Sequence, residues 1–191
     1  MVPHTPDAMN PAAPTPPAVL APLLNYLNSL RTERADLERL KRLLTESRVT
    51  LEDLSGYLRF EDGCYCRNLV AESPWFNLLV LCWKSGQRSP IHDHAQSVCA
   101  FKVLTGVCSE TAYTFSPCGQ VVPLRTTDMH AGEIIASHDS ETHQVSNLQP
   151  EGTALVTLHV YSPPLKTMKV FSITGKTGGE WLAPEHKAIG A

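Results

Sequence analysis

No apolar run in the chain approaches the ~18–20 residues that a membrane-spanning helix needs, and no block of Lys or Arg stands out. Sixteen basic residues face nineteen acidic ones, for a net charge of −3 and a sequence pI near 6.2. Neither a nucleic acid nor an anionic membrane surface is therefore expected as a partner. The N-terminal stretch MVPHTPDAMNPAAPTPPAVL has no basic n-region and no apolar h-region, so a secretory signal is not expected and a cytoplasmic location is. Six cysteines are present, yet Cys64-x-Cys66 has no second pair to complete a thiolate metal site. A chain of this length does not need disulfide staples, and the cysteines read as reduced thiols.

With 191 residues and 42% hydrophobic side chains, the chain can bury one sizeable core. Residues 1–18 are rich in Pro and Ala, lack periodicity and offer little apolar area against the entropy of ordering. A disordered tail is expected there, with His4 inert in it. From Val19 to about Arg48, leucines recur at three- and four-residue steps: Leu20, Leu23, Leu24, Leu27 and Leu30, then Leu37, Leu40, Leu43 and Leu44. Each set forms one apolar stripe on a helix. Thr50 and Asp53 have the spacing of an N-cap and its acidic partner, which predicts a short third helix. Residues 19–62 thus read as a helical N-terminal cap with a packing role. After Gly63 the period changes. YCRNLV, FNLLVLCW, VCAFKVL, VCSETAYTF, EIIAS and TALVTLHVY are short, β-branched or aromatic, and separated by turn residues. That pattern predicts a mainly β sandwich or barrel over residues 63–175. Residues 176–191 are polar and Gly-rich, a tail expected on or beside the barrel, and a monomer is expected.

Two histidines one residue apart, His92 and His94, lie in GQRSPIHDHAQSVCAFKVLTG, which Gly86 and Gly106 bracket. Residues i and i+2 of a strand point the same way, so both imidazoles can aim at one metal. A catalytic metal needs a further ligand, and GEIIASHDSETHQVSN supplies His143. Three imidazoles suit Fe(II) with O2 chemistry and equally Zn(II) with water, so ligand type alone does not choose. The same alternation places Thr157, His159 and Tyr161 on one face of TALVTLHVY, with Leu158 and Val160 on the other, and puts Tyr65 beside Arg67. Taken alone, Arg67 reads as a surface arginine and Tyr161 as a structural tyrosine. His130, His138 and His186 have no partners at metal spacing and read as surface residues.

Together, Gly86-x5-His92-x-His94-x4-Cys99-x6-Gly106 and Gly132-x10-His143-x3-Asn147 resemble the two motifs of the cupin superfamily. That resemblance implies a double-stranded β-helix, a jelly-roll barrel with a metal inside. Cupins usually carry Glu where this chain has Cys99, and Pro and Gly where it has His138 and Ser140. With YCRNLV, IHDH and LHVYSPP added, the chain from Tyr65 to Phe171 is similar to the cysteine dioxygenases, thiol dioxygenases whose iron sits on three histidines. The resemblance implies Fe(II) on His92, His94 and His143, with L-cysteine and O2 as substrates and cysteine sulfinic acid as product. It implies that Arg67 holds the substrate carboxylate, for which a guanidinium fork is suited, and that Tyr65 faces the substrate beside it. A relay of Thr157, His159 and Tyr161 is implied, with Thr157 where serine is usual, as is a thioether between Cys99 and Tyr161. Trp83 is expected to pack beside the site without doing chemistry, and Ser162-Pro163 to be cis.

Three other readings compete. One is a dioxygenase for another small thiol such as 3-mercaptopropionate, whose relatives tend to carry Gln at the position of Arg67. Another is a non-catalytic cupin that binds a ligand or metal, which has no use for His159 and Tyr161. The third is a zinc hydrolase or isomerase, which needs a carboxylate such as Glu133 or Glu141 at the metal.

Overall fold

The computed structural model of the chain describes residues 14–31, 34–94, 97–137, 141–174 and 180–182. The two leucine stripes fold as helices α1 (Ala21–Asn28), entered through a 3-10 turn at Ala18–Leu20, and α2 (Leu37–Glu46). Asp36 caps α2 by accepting the Arg39 N–H at 2.6 Å. At the other end, Lys102 of the barrel donates to the Ser47 carbonyl and, at 3.1 Å, to that of Leu44. A cation there answers both the orphan carbonyls and the negative end of the helix dipole.

Thr50 and Asp53 make the reciprocal bonds of a capping box: Asp53 Oδ2 accepts the Thr50 N–H and Oγ–H at 2.8 Å, and Thr50 Oγ1 accepts the Asp53 N–H at 3.3 Å. The expected third helix does not follow. A turn leads instead into a three-residue 3-10 segment, Ser55–Tyr57. Gly56 stands where a second helical turn would form, and the backbone entropy of glycine opposes it.

Eleven strands succeed the cap: β1 (Cys66–Ser73), β2 (Phe76–Trp83), β3 (Ile91–His92), β4 (Val98–Thr105), β5 (Val107–Phe115), β6 (Val121–His130), β7 (Ile134–Ser137), β8 (Thr142–Ser146), β9 (Leu155–Ser162), β10 (Thr167–Phe171) and β11 (Glu180–Leu182). They form two antiparallel sheets, ordered β1-β2-β9-β4-β7 and β11-β10-β3-β8-β5-β6. The result is a mainly β jelly roll, the double-stranded β-helix of the cupins, with a helical N-terminal cap.

The five-stranded sheet is buried on both sides. Leu78, Val80, Leu158 and Val160 face the cap and pack with Leu23, Leu27, Leu40 and Leu44. Leu79, Leu81, Trp83, Phe101 and Tyr161 turn into the barrel and meet Cys108, Met129 and Val145 of the other sheet. Burial on both faces explains why LLVLCW, Leu78 to Trp83, is an unbroken apolar run and not an alternating one. Ser162 fastens the layers together: its hydroxyl accepts the Ala35 N–H at 2.9 Å and donates to the Trp75 carbonyl at 2.7 Å. The Ser162-Pro163 bond is cis.

β11 pairs with β10, Thr167 opposite Leu182, in a stretch whose composition indicates only a polar tail. Three residues are too few to show a period. Of residues 1–18, Pro14 to Ala18 are described, and the Pro14 carbonyl accepts the Tyr57 hydroxyl. The rest of that segment, with His4, lies outside the described residues, as do His138, Ser140 and His186. The six cysteines are thiols with no disulfide among them.

The glycines that bracket the histidine stretch both have positive φ, 81° at Gly86 and 80° at Gly106. Their surroundings differ. A Cβ on Gly86 meets nothing within 4 Å, whereas one on Gly106 would lie 2.5 Å from the Ala154 carbonyl oxygen and 2.8 Å from Gln149 Nε2. Gly86→Ala is therefore expected to lose about 1 kcal/mol, from the left-handed backbone alone. Gly106→Ala is expected to lose about 3 kcal/mol or more, as the clash adds to that strain. Urea midpoints of the two variants check this, and equal losses would contradict the close approach at Gly106.

Candidate metal centre

His92 on β3 and His143 on β8 are direct cross-strand partners. His94 does not share a strand with His92, because β3 ends at His92. It turns inward from the segment just beyond and is still only 1% exposed. Ring centroids are 4.7 Å apart for His92–His143 and His94–His143, and 5.5 Å for His92–His94. One nitrogen from each ring lies within 4.8 Å of the other two. His92 Nδ1 is committed to the Pro90 carbonyl at 2.9 Å and His143 Nδ1 to the Glu110 carboxylate, which leaves both Nε2 atoms for the common point.

This donor set fits a divalent metal. His94 Nε2 and His143 Nε2 are 3.0 Å apart. Two nitrogens each about 2.1 Å from one ion, at a right angle, have that separation. His94 Nδ1 is buried without a hydrogen-bond partner among the described residues. Burial, reinforced by His143, pushes the His92 pKa down to about 3 and that of His94 well below its ordinary value. Rings with Nε2 turned inward, held from behind by a carbonyl at His92 and a carboxylate at His143, are what metal ligation requires.

Glu110 is a site residue that sequence reasoning missed. It lies on β5 two residues from Ala112, the partner of His143, and so reaches that ring diagonally across the ladder. A signal existed: Glu110 shares the inward parity of Cys108, and an acidic residue facing a barrel core needs a partner.

The second wall of the cavity comes from β1, β2, β4 and β9. Thr157 Oγ1 lies 2.9 Å from His159 Nε2, and His159 Nδ1 lies 3.2 Å from the Tyr161 hydroxyl, so the three expected relay residues are in hydrogen-bond contact. Threonine in place of serine is accommodated, with Thr157 0% exposed. Phe101, also not singled out from the sequence, stacks on His159 at 4.5 Å with a 7° interplanar angle. Trp83 does more than pack: its indole N–H donates to Thr157 at 3.3 Å while its ring stacks on Tyr65 at 4.0 Å. The Arg67 guanidinium lies 5.4 Å from the Tyr161 ring centroid. Cys99 is opposite Tyr161 in the β4–β9 ladder, with its Sγ 4.0 Å from His159 Nδ1. Burial raises the Cys99 and Tyr161 pKa values and, with Arg67 next in effect, holds His159 well below its ordinary value. All of these side chains except Thr157 and Phe101 line one cavity with the three histidines.

Glu133 and Glu141 are exposed, and Glu133 accepts the His130 N–H in a turn. Among the described residues no carboxylate lines the cavity.

Residues 9–174 match the family described as cysteine dioxygenase type I. The chain belongs to that family. It is 30% identical over 166 residues to the cysteine dioxygenase type 1 of Danio rerio, which covers 81% of this chain and 80% of that one. To the Homo sapiens protein of the same name it is 31% identical over 160 residues, with the same coverage. Among solved structures, an uncharacterized double-stranded β-helix protein from Klebsiella pneumoniae aligns with 74% of this chain and 95% of its own, at 22% identity and a TM-score of 0.49. Family membership and the histidine triad together make the chain a thiol dioxygenase. No helix among the described residues is long and apolar enough to cross a membrane.

Two expectations follow for this cysteine dioxygenase family member. The unfolded chain protonates a histidine near pH 6.5, whereas native His92 resists protonation down to about 3. The unfolded state thus binds more protons between those values, and stability that is full above pH 6.5 is lost as pH falls. Each such buried neutral histidine adds a slope of about 1.4 kcal/mol per pH unit. Urea midpoints of chelator-treated protein should drop below pH 6.5, less steeply in His92→Gln. Replacement of Glu110 by Gln should weaken metal affinity about 10- to 100-fold, measured by competition with a chelator.

Proposed function

We propose that this protein is an Fe(II)-dependent dioxygenase that converts L-cysteine to cysteine sulfinic acid. The observation that supports this best is a three-imidazole set facing Arg67 and Tyr161 across one buried cavity. The overall change is RSH + O2 → RSO2H, with both oxygen atoms ending on sulfur. Held by His92, His94 and His143, Fe(II) supplies the redox chemistry that couples O2 to a thiolate.

The chain's own residues do the rest. Arg67 presents a donor fork that fits the cysteine carboxylate, with Tyr65 nearby in the segment just before β1. Trp83 at 1% exposure and Leu81 at 2% wall the cavity from water. Tyr161, backed by His159 and Thr157, holds a proton at its phenol oxygen where the sulfur and its oxygens come to lie.

Cys99 and Tyr161 form a thioether in this reading. Their opposite positions on β4 and β9 and the contact each makes with His159 Nδ1 support it. The bond joins Sγ to a ring carbon, with loss of the thiol hydrogen and one ring hydrogen, and O2 takes up both as hydrogen peroxide. The linked protein is therefore lighter by two hydrogen atoms. Its digest should contain a peptide joining Cys99 to Tyr161, absent in Cys99→Ala, and failure to find it after turnover would remove the crosslink.

An oxygen electrode with product analysis tests the activity. Iron-loaded protein should consume one O2 per cysteine and form the sulfinate, at about 10-fold or greater preference over 3-mercaptopropionate. No uptake with cysteine, cysteamine or 3-mercaptopropionate would refute a dioxygenase. Arg67→Ala should raise KM for cysteine about 10- to 100-fold, the loss of a charged hydrogen-bond pair.

A further inference from the structure

Thr157 Oγ1 has two partners among the described residues, Trp83 Nε1 at 3.3 Å and His159 Nε2 at 2.9 Å. The indole N–H only donates, so Thr157 is its acceptor. Thr157 is 0% exposed, and its own hydroxyl proton needs an acceptor inside the protein. The acceptor in reach is His159 Nε2. Burial keeps that imidazole neutral, so with Nε2 accepting, the ring proton resides on Nδ1. Nδ1–H then donates to the Tyr161 oxygen at 3.2 Å. Arg67, a pure donor, is hydrogen-bonded to Tyr161 as well. With two N–H donors on it, the phenol oxygen must turn its own proton away from both, toward the cavity where Cys99 and the histidine triad lie.

We propose that Trp83 is a positioning residue: its N–H, by occupying Thr157, fixes His159 as the Nδ1–H tautomer and aims the Tyr161 O–H at the substrate. This rests on the thiol dioxygenase reading for its purpose, but not for its geometry. Threonine suits the role. Its β-branch stiffens χ1 and keeps Oγ1 between the two nitrogens. Without the indole donor, Thr157 can accept from His159 Nε2–H, the ring can take the other tautomer, and Tyr161 donates into Nδ1 and away from substrate.

The test is the His159 tautomer in full-length protein with 15N-labelled histidine, loaded with diamagnetic Zn(II). A two-bond 1H–15N spectrum reads it, with His159 assigned by its loss in His159→Gln. Wild type should show Nδ1–H, and Trp83→Phe, which keeps a ring against Tyr65, should shift toward Nε2–H. In the iron-loaded enzyme the same variant should lose about 10-fold in kcat, part of the contribution of a positioned proton donor, with KM for cysteine changed less than about twofold. Nε2–H in wild type, or unaltered Nδ1–H in Trp83→Phe, overturns the proposal. Should Trp83→Phe not fold, Thr157→Val removes the hydroxyl that donates to Nε2, and retention of Nδ1–H there overturns it equally. Absence of any O2 uptake by wild type would refute the dioxygenase reading while leaving the tautomer result to stand or fall by itself.

Discussion

One cross-strand pair, His92 on β3 opposite His143 on β8, fixes the register on which the rest of the site depends. β3 is two residues long and could not hold that register alone. The segment before it does so, through Gly86 N–H to the Asn147 carbonyl at 2.8 Å, Asn147 N–H to the Gln87 carbonyl at 2.9 Å and Ser89 N–H to the Val145 carbonyl at 2.8 Å. Asn147, 0% exposed, then ties this ladder to the other sheet by donating to the Trp83 carbonyl at 3.1 Å. A slip of one residue would turn His143 out of the barrel and leave Glu110 a buried carboxylate without a partner.

β9 serves two cores at once. Leu158 and Val160 bury their side chains under the cap, while His159 and Tyr161 line the cavity with Thr157 hydrogen-bonded behind them. The position of the relay is therefore set partly by helices that never touch it. Ser162 makes that coupling directional, since one hydroxyl holds both the entry to α2 and the end of the strand that presents Tyr161.

What could be read from the chain was whatever one strand or one spacing decides. Period-two alternation put Thr157, His159 and Tyr161 on one face and let His92 and His94 converge, while the relay and the place of His143 beside them came from the resemblance to the cysteine dioxygenases. His94 turns inward from a loop, whereas the spacing had placed it on one strand with His92. Glu110 was hidden because its role depends on β5–β8 register, a relation between segments more than thirty residues apart. The Trp83 N–H was hidden for the same reason, since its acceptor Thr157 lies 74 residues away. The capping box at Thr50 was read correctly and its sequel was not, because Gly56 and the burial of Tyr57 favour a tight turn over a helix.

The double burial of the five-stranded sheet also bears on how such a barrel can be handled. Leu78, Val80, Leu158 and Val160 present a continuous apolar wall that the N-terminal cap covers. A barrel trimmed of its cap would keep His92, His94 and His143 and still expose an apolar outer surface of the kind that drives proteins to associate. The helices are accordingly a solubility element of the enzyme, and a minimal catalytic fragment begins before α1 and not at β1.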